Sequence, residues 1–102
     1  MKYPVILQPA ADAEIEAAYL YLAAEASLEV AVSWFNDVDT AIRTLAEMPR
    51  RCSLAPEDDF FEAEIRNLMV GPYRVLFTVA GKEVHVLHVR HMSRRRMHAL
   101  DD

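Results

Sequence analysis

Residues 64–94 read EIRNLMVGPYRVLFTVAGKEVHVLHVRHMSR, and this stretch decides the fold. Three short apolar runs follow one another, parted by Gly71-Pro72 and Gly81-Lys82. Runs of strand length separated by turn residues predict a three-stranded antiparallel meander. In the second run Tyr73, Val75, Phe77 and Val79 alternate with Arg74, Leu76 and Thr78. Successive strand side chains point to opposite faces, so the first set shares one face. A two-residue turn at Gly81-Lys82 sets Val79 against Val84, Phe77 against Val86, Val75 against His88 and Tyr73 against Arg90. That face is nearly all apolar, and His88 on it reads as a partly buried core histidine. The other face carries Arg74, Leu76 and Thr78 against His85, Leu87 and Val89, with His91 just beyond. The sheet is therefore expected to bury one side and to offer a basic rim on the other.

Working outward toward the N-terminus, Tyr3 to Leu7 is a short run of strand formers, and Pro4 assigns it to an edge position or to the first residues of a strand. Pro9 suits the first turn of a helix. From Ala10 onward Ile15, Ala18, Tyr19 and Leu22 fall at helical spacing, with Asp12, Glu14 and Glu16 near the positive end of the helix dipole. Ser27 is a break and a helix cap. After it Ala31, Trp34, Phe35, Val38, Ile42 and Leu45 repeat the helical spacing up to Met48-Pro49. Two helices on so short a link predict an antiparallel hairpin, with Tyr19, Leu22, Trp34, Val38, Ile42 and Leu45 facing either each other or the apolar sheet face. Its Tyr and Trp residues lie on the apolar stripes and read as core rather than as a stacking platform. Residues 49–63 form a long loop with an acidic run at Glu57-Asp58-Asp59, and Phe60 and Phe61 are candidates to pin it to the core. The last residues, RRRMHALDD, read as a short helix or a frayed end. The class is α+β, in the order β-α-α-β-β-β, with residues 1–102 as one domain.

Composition narrows the function classes. Apolar residues make up 53% of the 102, ample for one core. No run approaches the ~18–20 apolar residues of a membrane span, and the first residues lack a signal-peptide pattern, so a cytoplasmic protein without a membrane role is expected. The lone Cys52 has no partner for an internal disulfide. The histidines lack carboxylates or cysteines at ligand spacing, so neither a metal nor a cofactor is expected. The net charge of −5 argues against a chain that binds DNA by sequence. Charge is divided unevenly. Residues 1–63 hold four Lys or Arg against twelve Asp or Glu, whereas residues 64–102 hold seven against four. The sheet portion is thus basic on an acidic helical scaffold.

The order of elements, the helix bearing Ala13, Ile15 and Tyr19, the second helix ending LAEMPR, and the segments EIRNL, GPYRVLFTV and VHVLHVRHMSR together resemble the RelE/ParE superfamily of bacterial toxins from toxin-antitoxin (plasmid stabilisation) modules. The spacing from Ile65-Arg66 through Tyr73-Arg74 to His91 and Arg94 looks most like the ParE branch. The resemblance implies a type II toxin neutralised by a cognate antitoxin. Its branches differ in target: RelE-like members cleave mRNA on the ribosome, and ParE-like members are associated with poisoning DNA gyrase.

A ribonuclease that drives attack of a 2′-hydroxyl needs a base, an acid and cations for the developing phosphate charge. Arg66, Arg74 and His91 are the candidates for that work, with Arg74 as phosphate clamp and His91 as acid or base. Against this, the lysines that RelE-type sites carry have no counterpart, since only Lys2 and Lys82 occur, and no Tyr follows His91. These departures favour the ParE branch and an inhibitor that acts by contact, with Arg90, His91 and Arg94 as target-binding residues. Arg66 and Arg74 equally suit ion pairs with Glu64 or with the acids of residues 57–62. An inactive remnant of the fold is the third reading.

Overall fold

In the computed structural model, which describes residues 2–55 and 64–92, the chain runs β1 (Val5–Leu7), α1 (Pro9–Glu25), α2 (Leu28–Arg43), two single 3-10 turns (Thr44–Ala46 and Pro49–Arg51), β2 (Arg66–Val70), β3 (Tyr73–Ala80) and β4 (Glu83–His91). The expected order of strand, helical hairpin and meander is present. The sheet order is β1-β4-β3-β2, with β1 parallel to β4 and the meander antiparallel. β1 sits at an edge, where Pro4 costs no ladder bond. The Pro4 carbonyl accepts from Val84 N–H at 2.9 Å, and Gln8 N–H donates to the Val86 carbonyl at 2.9 Å.

Pro9 opens α1 with its fixed φ and without an N–H to satisfy. Ser27 caps α2 as its sequence position suggests, its hydroxyl oxygen accepting from Val30 N–H at 3.1 Å. Beyond α2, Arg51 donates to the carbonyls of Thr44, Glu47 and Met48 at 3.3, 2.8 and 3.4 Å. These bonds tie together the two 3-10 turns that follow the helix, where Glu47 N–H also donates to the Thr44 carbonyl at 3.1 Å and Arg51 N–H to that of Met48 at 3.0 Å. Met48 turns the chain there with φ of +46°.

α1 packs on β4 and α2 on β2. The main core gathers Ala11 and Ile15 of α1, Val38 and Ile42 of α2, Leu45, and Val75, Phe77, Val84, Val86 and Val89 of the sheet. Ala31 and Val38 are buried as their stripe requires, but Phe35, on the same expected stripe, is 43% exposed. The opposite sheet face is not simply a basic rim. Leu76, Ile65 and Ala55 are buried there in a second small cluster, with Leu87 packed against it.

The hairpin register departs from a regular ladder. Near the turn Val79 faces Val84 and Phe77 faces Val86, as expected, but a shift between Leu76 and Phe77 places Val75 opposite Val89, Arg74 opposite Arg90 and Tyr73 opposite His91. One extra residue on β4, a β-bulge, accounts for it. His88 and Arg90 therefore lose the partners that alternation predicted, and Val89 takes the core position assigned to His88. The benefit is visible in burial: Val89 joins the core beside Val75.

Among the described residues no helix is long and apolar enough to cross a membrane. The acidic run, Phe60, Phe61, the C-terminal tail and Arg94 lie outside the described residues.

Candidate functional site

The residues singled out in the sequence gather loosely at the C-terminal half of β4 and its neighbours. Arg90 and His91 are consecutive on β4 and so point to opposite faces. His91 lies opposite Tyr73. Its ring meets the Tyr73 ring edge-on, with centroids 5.1 Å apart at 84°. Tyr73 in turn packs on Trp34 of α2 at 5.0 Å and 58°, both geometries that suit aromatic quadrupoles. His91 is thus the end of an aromatic row running out from the helical layer.

On the other face Arg90 stands directly opposite Arg74. Like charges facing across strands repel. Arg90 is nonetheless 91% buried by its 9% exposure, and its Nε is buried without a hydrogen-bond partner. The bulge creates this pairing, and alternation alone had placed Arg90 opposite Tyr73.

Arg66 has a different task. It faces Phe77 across β2 and β3 and forms a bridge to Leu54. Its guanidinium donates to the carbonyls of Cys52 at 2.6 Å and Arg50 at 3.3 Å, and to Glu64 Oε1 at 3.1 Å. These bonds fasten the segment ending at Ala55 to the edge of β2, where Ala55 N–H reaches the Ile65 carbonyl at 2.7 Å. The Glu64 pair is the one that the sequence offers. The two backbone carbonyls carry no sequence signal.

Arg66, Arg74 and His91 do not converge. The β3 partners of Arg66 and His91 are Phe77 and Tyr73, four residues or about 13 Å apart at strand rise. Arg74 points to the opposite face from both, because its neighbours Tyr73 and Val75 share the face of Phe77.

Two residues not singled out as site candidates close the sheet edge. Glu14 of α1 reaches the edge of β4 that β1 leaves open after Leu7. Its Oε1 accepts from Val89 N–H at 3.0 Å, and its two oxygens lie 3.1 and 3.2 Å from His88 Nδ1. His88 is buried at 6% exposure. The carboxylate stands where a neighbouring strand's carbonyl would be, so α1 closes the sheet edge in place of a strand. Farther along β4, Gln8 Nε2 donates to His85 Nδ1 at 2.9 Å, which leaves Nε2 of His85 to donate to Glu83 Oε1 at 3.2 Å. Both ring nitrogens are committed, so His85 has no lone pair to spare as a base. Among the described residues no group of three His, Cys, Asp or Glu is placed to hold a metal ion.

A family model described as the ParE toxin of the type II toxin-antitoxin system parDE matches residues 5–96. Among solved structures, a chain of the "Chromosomal ParDE TA system from P. aeruginosa" is similar with a TM-score of 0.75 at 20% identity, covering 88% of this chain and 96% of that one. No curated protein sequence matches at a significant level.

Proposed function

Because the chain belongs to the ParE toxin family of type II toxin-antitoxin systems, and with that membership has the role of a toxin paired with an antitoxin, we propose that it acts in the cytoplasm by contact with DNA gyrase through the C-terminal end of β4, with Arg90, His91 and Arg94 in the contact surface. The observation that carries a contact mechanism over mRNA cleavage is the dispersal of Arg66, Arg74 and His91. Acid, base and phosphate clamp must surround one phosphodiester within hydrogen-bond reach of it. Here two of the three are about 13 Å apart along the strand and the third is on the other face. Arg66 is also engaged with the Cys52 and Arg50 carbonyls. A surface that binds by contact has no such requirement, since its charges need not converge on one reacting atom.

The test is a plasmid supercoiling assay with the purified chain, gyrase and ATP. Loss of supercoiling with trapped linear DNA is the expected result. Intact gyrase activity together with mRNA cut only on translating ribosomes would overturn the proposal in favour of the nuclease. In cells, growth arrest on expression without the antitoxin is expected to survive Arg74→Ala, whereas a phosphate clamp would lose several kcal/mol of transition-state stabilisation on that change.

A further inference from the structure

Burying a guanidinium is costly unless a counter-charge goes with it. Arg90 is 9% exposed, and its Nε is buried without a hydrogen-bond partner. Among the described residues no carboxylate lies within ion-pair distance of it. The register supplies a second cation instead, since Arg74 stands directly opposite. Facing residues of an antiparallel pair are about 4.5–5.5 Å apart at Cα, so the two side chains leave the sheet from neighbouring points on one face. Arg74 has a further interaction of its own, which makes Arg90 the anchor of the pair. The row across the sheet at this level is Met69, Arg74 and Arg90, and the row beside it is Asn67, Leu76 and His88. Neither row holds a carboxylate. Glu14, which reaches this end of β4, is spent on Val89 N–H and His88 Nδ1. Leu76, in the second row, is buried with Ala55 and Ile65, and apolar walls strengthen the attraction of the pair for an anion.

Two facing guanidinium groups select the anion that satisfies both. Each is a planar fork of N–H donors that matches a pair of oxygens. A carboxylate brings one charge and fills one fork. A phosphodiester also brings a single charge. A phosphate dianion carries roughly −1.5 to −2 at neutral pH and has three or more acceptor oxygens, enough to answer both forks at once. We propose that Arg90 and Arg74 form a binding site for a phosphate dianion, free or as the terminal group of a phosphate monoester, on the sheet face turned away from the helices. The site goes beyond the gyrase contact proposed for the same strand end, and it can hold or fail without it.

The test is calorimetry and side-chain 1H–15N NMR on the full chain in chloride buffer. Inorganic phosphate and adenosine 5′-monophosphate are the probes, with dimethyl phosphate as the phosphodiester control. Both probes should bind saturably, on the order of tenfold or more tighter than the control, and the Nε–H signal of Arg90 should move with occupancy. Tighter binding of the nucleotide supports the site with an organic monoester as the source, and equal binding supports it with phosphate itself. Arg90→Met keeps the length of the side chain and removes its charge. Its melting temperature in chloride should match or exceed that of the wild type, because an unpaired buried charge is gone, and binding should be lost. Arg90→Lys keeps the charge without the fork and should bind on the order of tenfold more weakly. Phosphate salts stabilise folded chains in general, so the wild type should gain more in melting temperature from phosphate than Arg90→Met does. An equal gain in both would overturn the site. So would an Arg90→Lys chain that binds as tightly as the wild type, or a wild-type Arg90 Nε–H that stays in place at saturating phosphate. Dimethyl phosphate or single-stranded RNA bound more tightly than the dianions would replace the proposal with contact to a nucleic-acid backbone.

Discussion

The two halves of the β3–β4 ladder obey different rules. From Phe77 to Ala80 on β3 and Glu83 to Val86 on β4, pairing is regular and burial on β4 alternates. β1 supplies the next strand for Val84 to Val86. Past the bulge, His88, Val89 and Arg90 are buried in succession, β1 has ended, and Glu14 takes over the sheet edge. The turn half is what alternation and a tight turn produce in any sheet. The far half carries a buried guanidinium, a buried histidine on a carboxylate and an aromatic row ending in His91. Bulges redirect side chains where a sheet must present them, and here the redirection brings Arg90 opposite Arg74 and His91 onto Tyr73. The difference teaches that regular pairing fills one end of the ladder, while the bulge gathers buried polar groups at the other.

The largest effect should come from the turn half. Phe77 is fully buried, and Phe77→Ala removes a ring from a close-packed layer, with an expected loss of about 3–5 kcal/mol. Urea unfolding followed by circular dichroism measures it. A loss under about 1 kcal/mol would mean that this half is not the stable core. Next comes the edge clasp beyond the bulge. Glu14→Ala leaves both the Val89 N–H and the buried His88 without their acceptor, and should cost about 1–3 kcal/mol. Hydrogen exchange separates this from a general loosening, because protection should fall at Val89 and stay at Val84 and Val86. Equal losses at all three would erase the distinction between the halves. Glu14→Gln keeps one carbonyl oxygen for Val89 and should cost less than the alanine change.

Much of this was legible in the residues. The strands and their turns follow from Gly71-Pro72 and Gly81-Lys82, because few other residues punctuate apolar runs so strongly. Ser27 and Pro9 mark helix starts by the hydrogen bond one makes and the one the other does not need. The pairing of β1 with β4 was not legible, since a three-residue strand carries no signal of its neighbour. The bulge was half visible. Apolar residues at Val84 and Val86 are followed by Leu87 and Val89, two period-two patterns out of phase by one, and reading them as a single alternation misplaced His88 and Arg90. Phe35 was assigned to the core because it sits beside Trp34 on a broad stripe, yet the crossing of α2 over the sheet leaves room for only part of that stripe. Glu14 was read for its helix-dipole position, which is a local property, while its reach to Val89 spans 75 residues of sequence and depends on how α1 lies against β4.

The smallest expected effect tests whether the halves are separable at all. Gly81 has φ of +61°, Lys82 is not among the residues with positive φ, and Ala80 pairs directly with Glu83. A two-residue turn with Gly first and positive φ there only is the type II′ arrangement, whose twist matches the flanking strands. A Cβ at Gly81 would meet nothing within 4 Å, so Gly81→Ala carries only the backbone cost of a left-handed residue, about 1 kcal/mol. Gly81→Asn should cost less, since Asn tolerates that region by bonding its own backbone. Melting curves of the two variants measure the difference. Because the far half is held by the bulge, by Glu14 and by Tyr73 on Trp34 rather than by the turn, neither change should alter growth arrest or affinity for the antitoxin. A Gly81→Ala chain that stays folded but loses growth arrest would show that the basic end of β4 is positioned by the turn after all, and the two halves would have to be treated as one element.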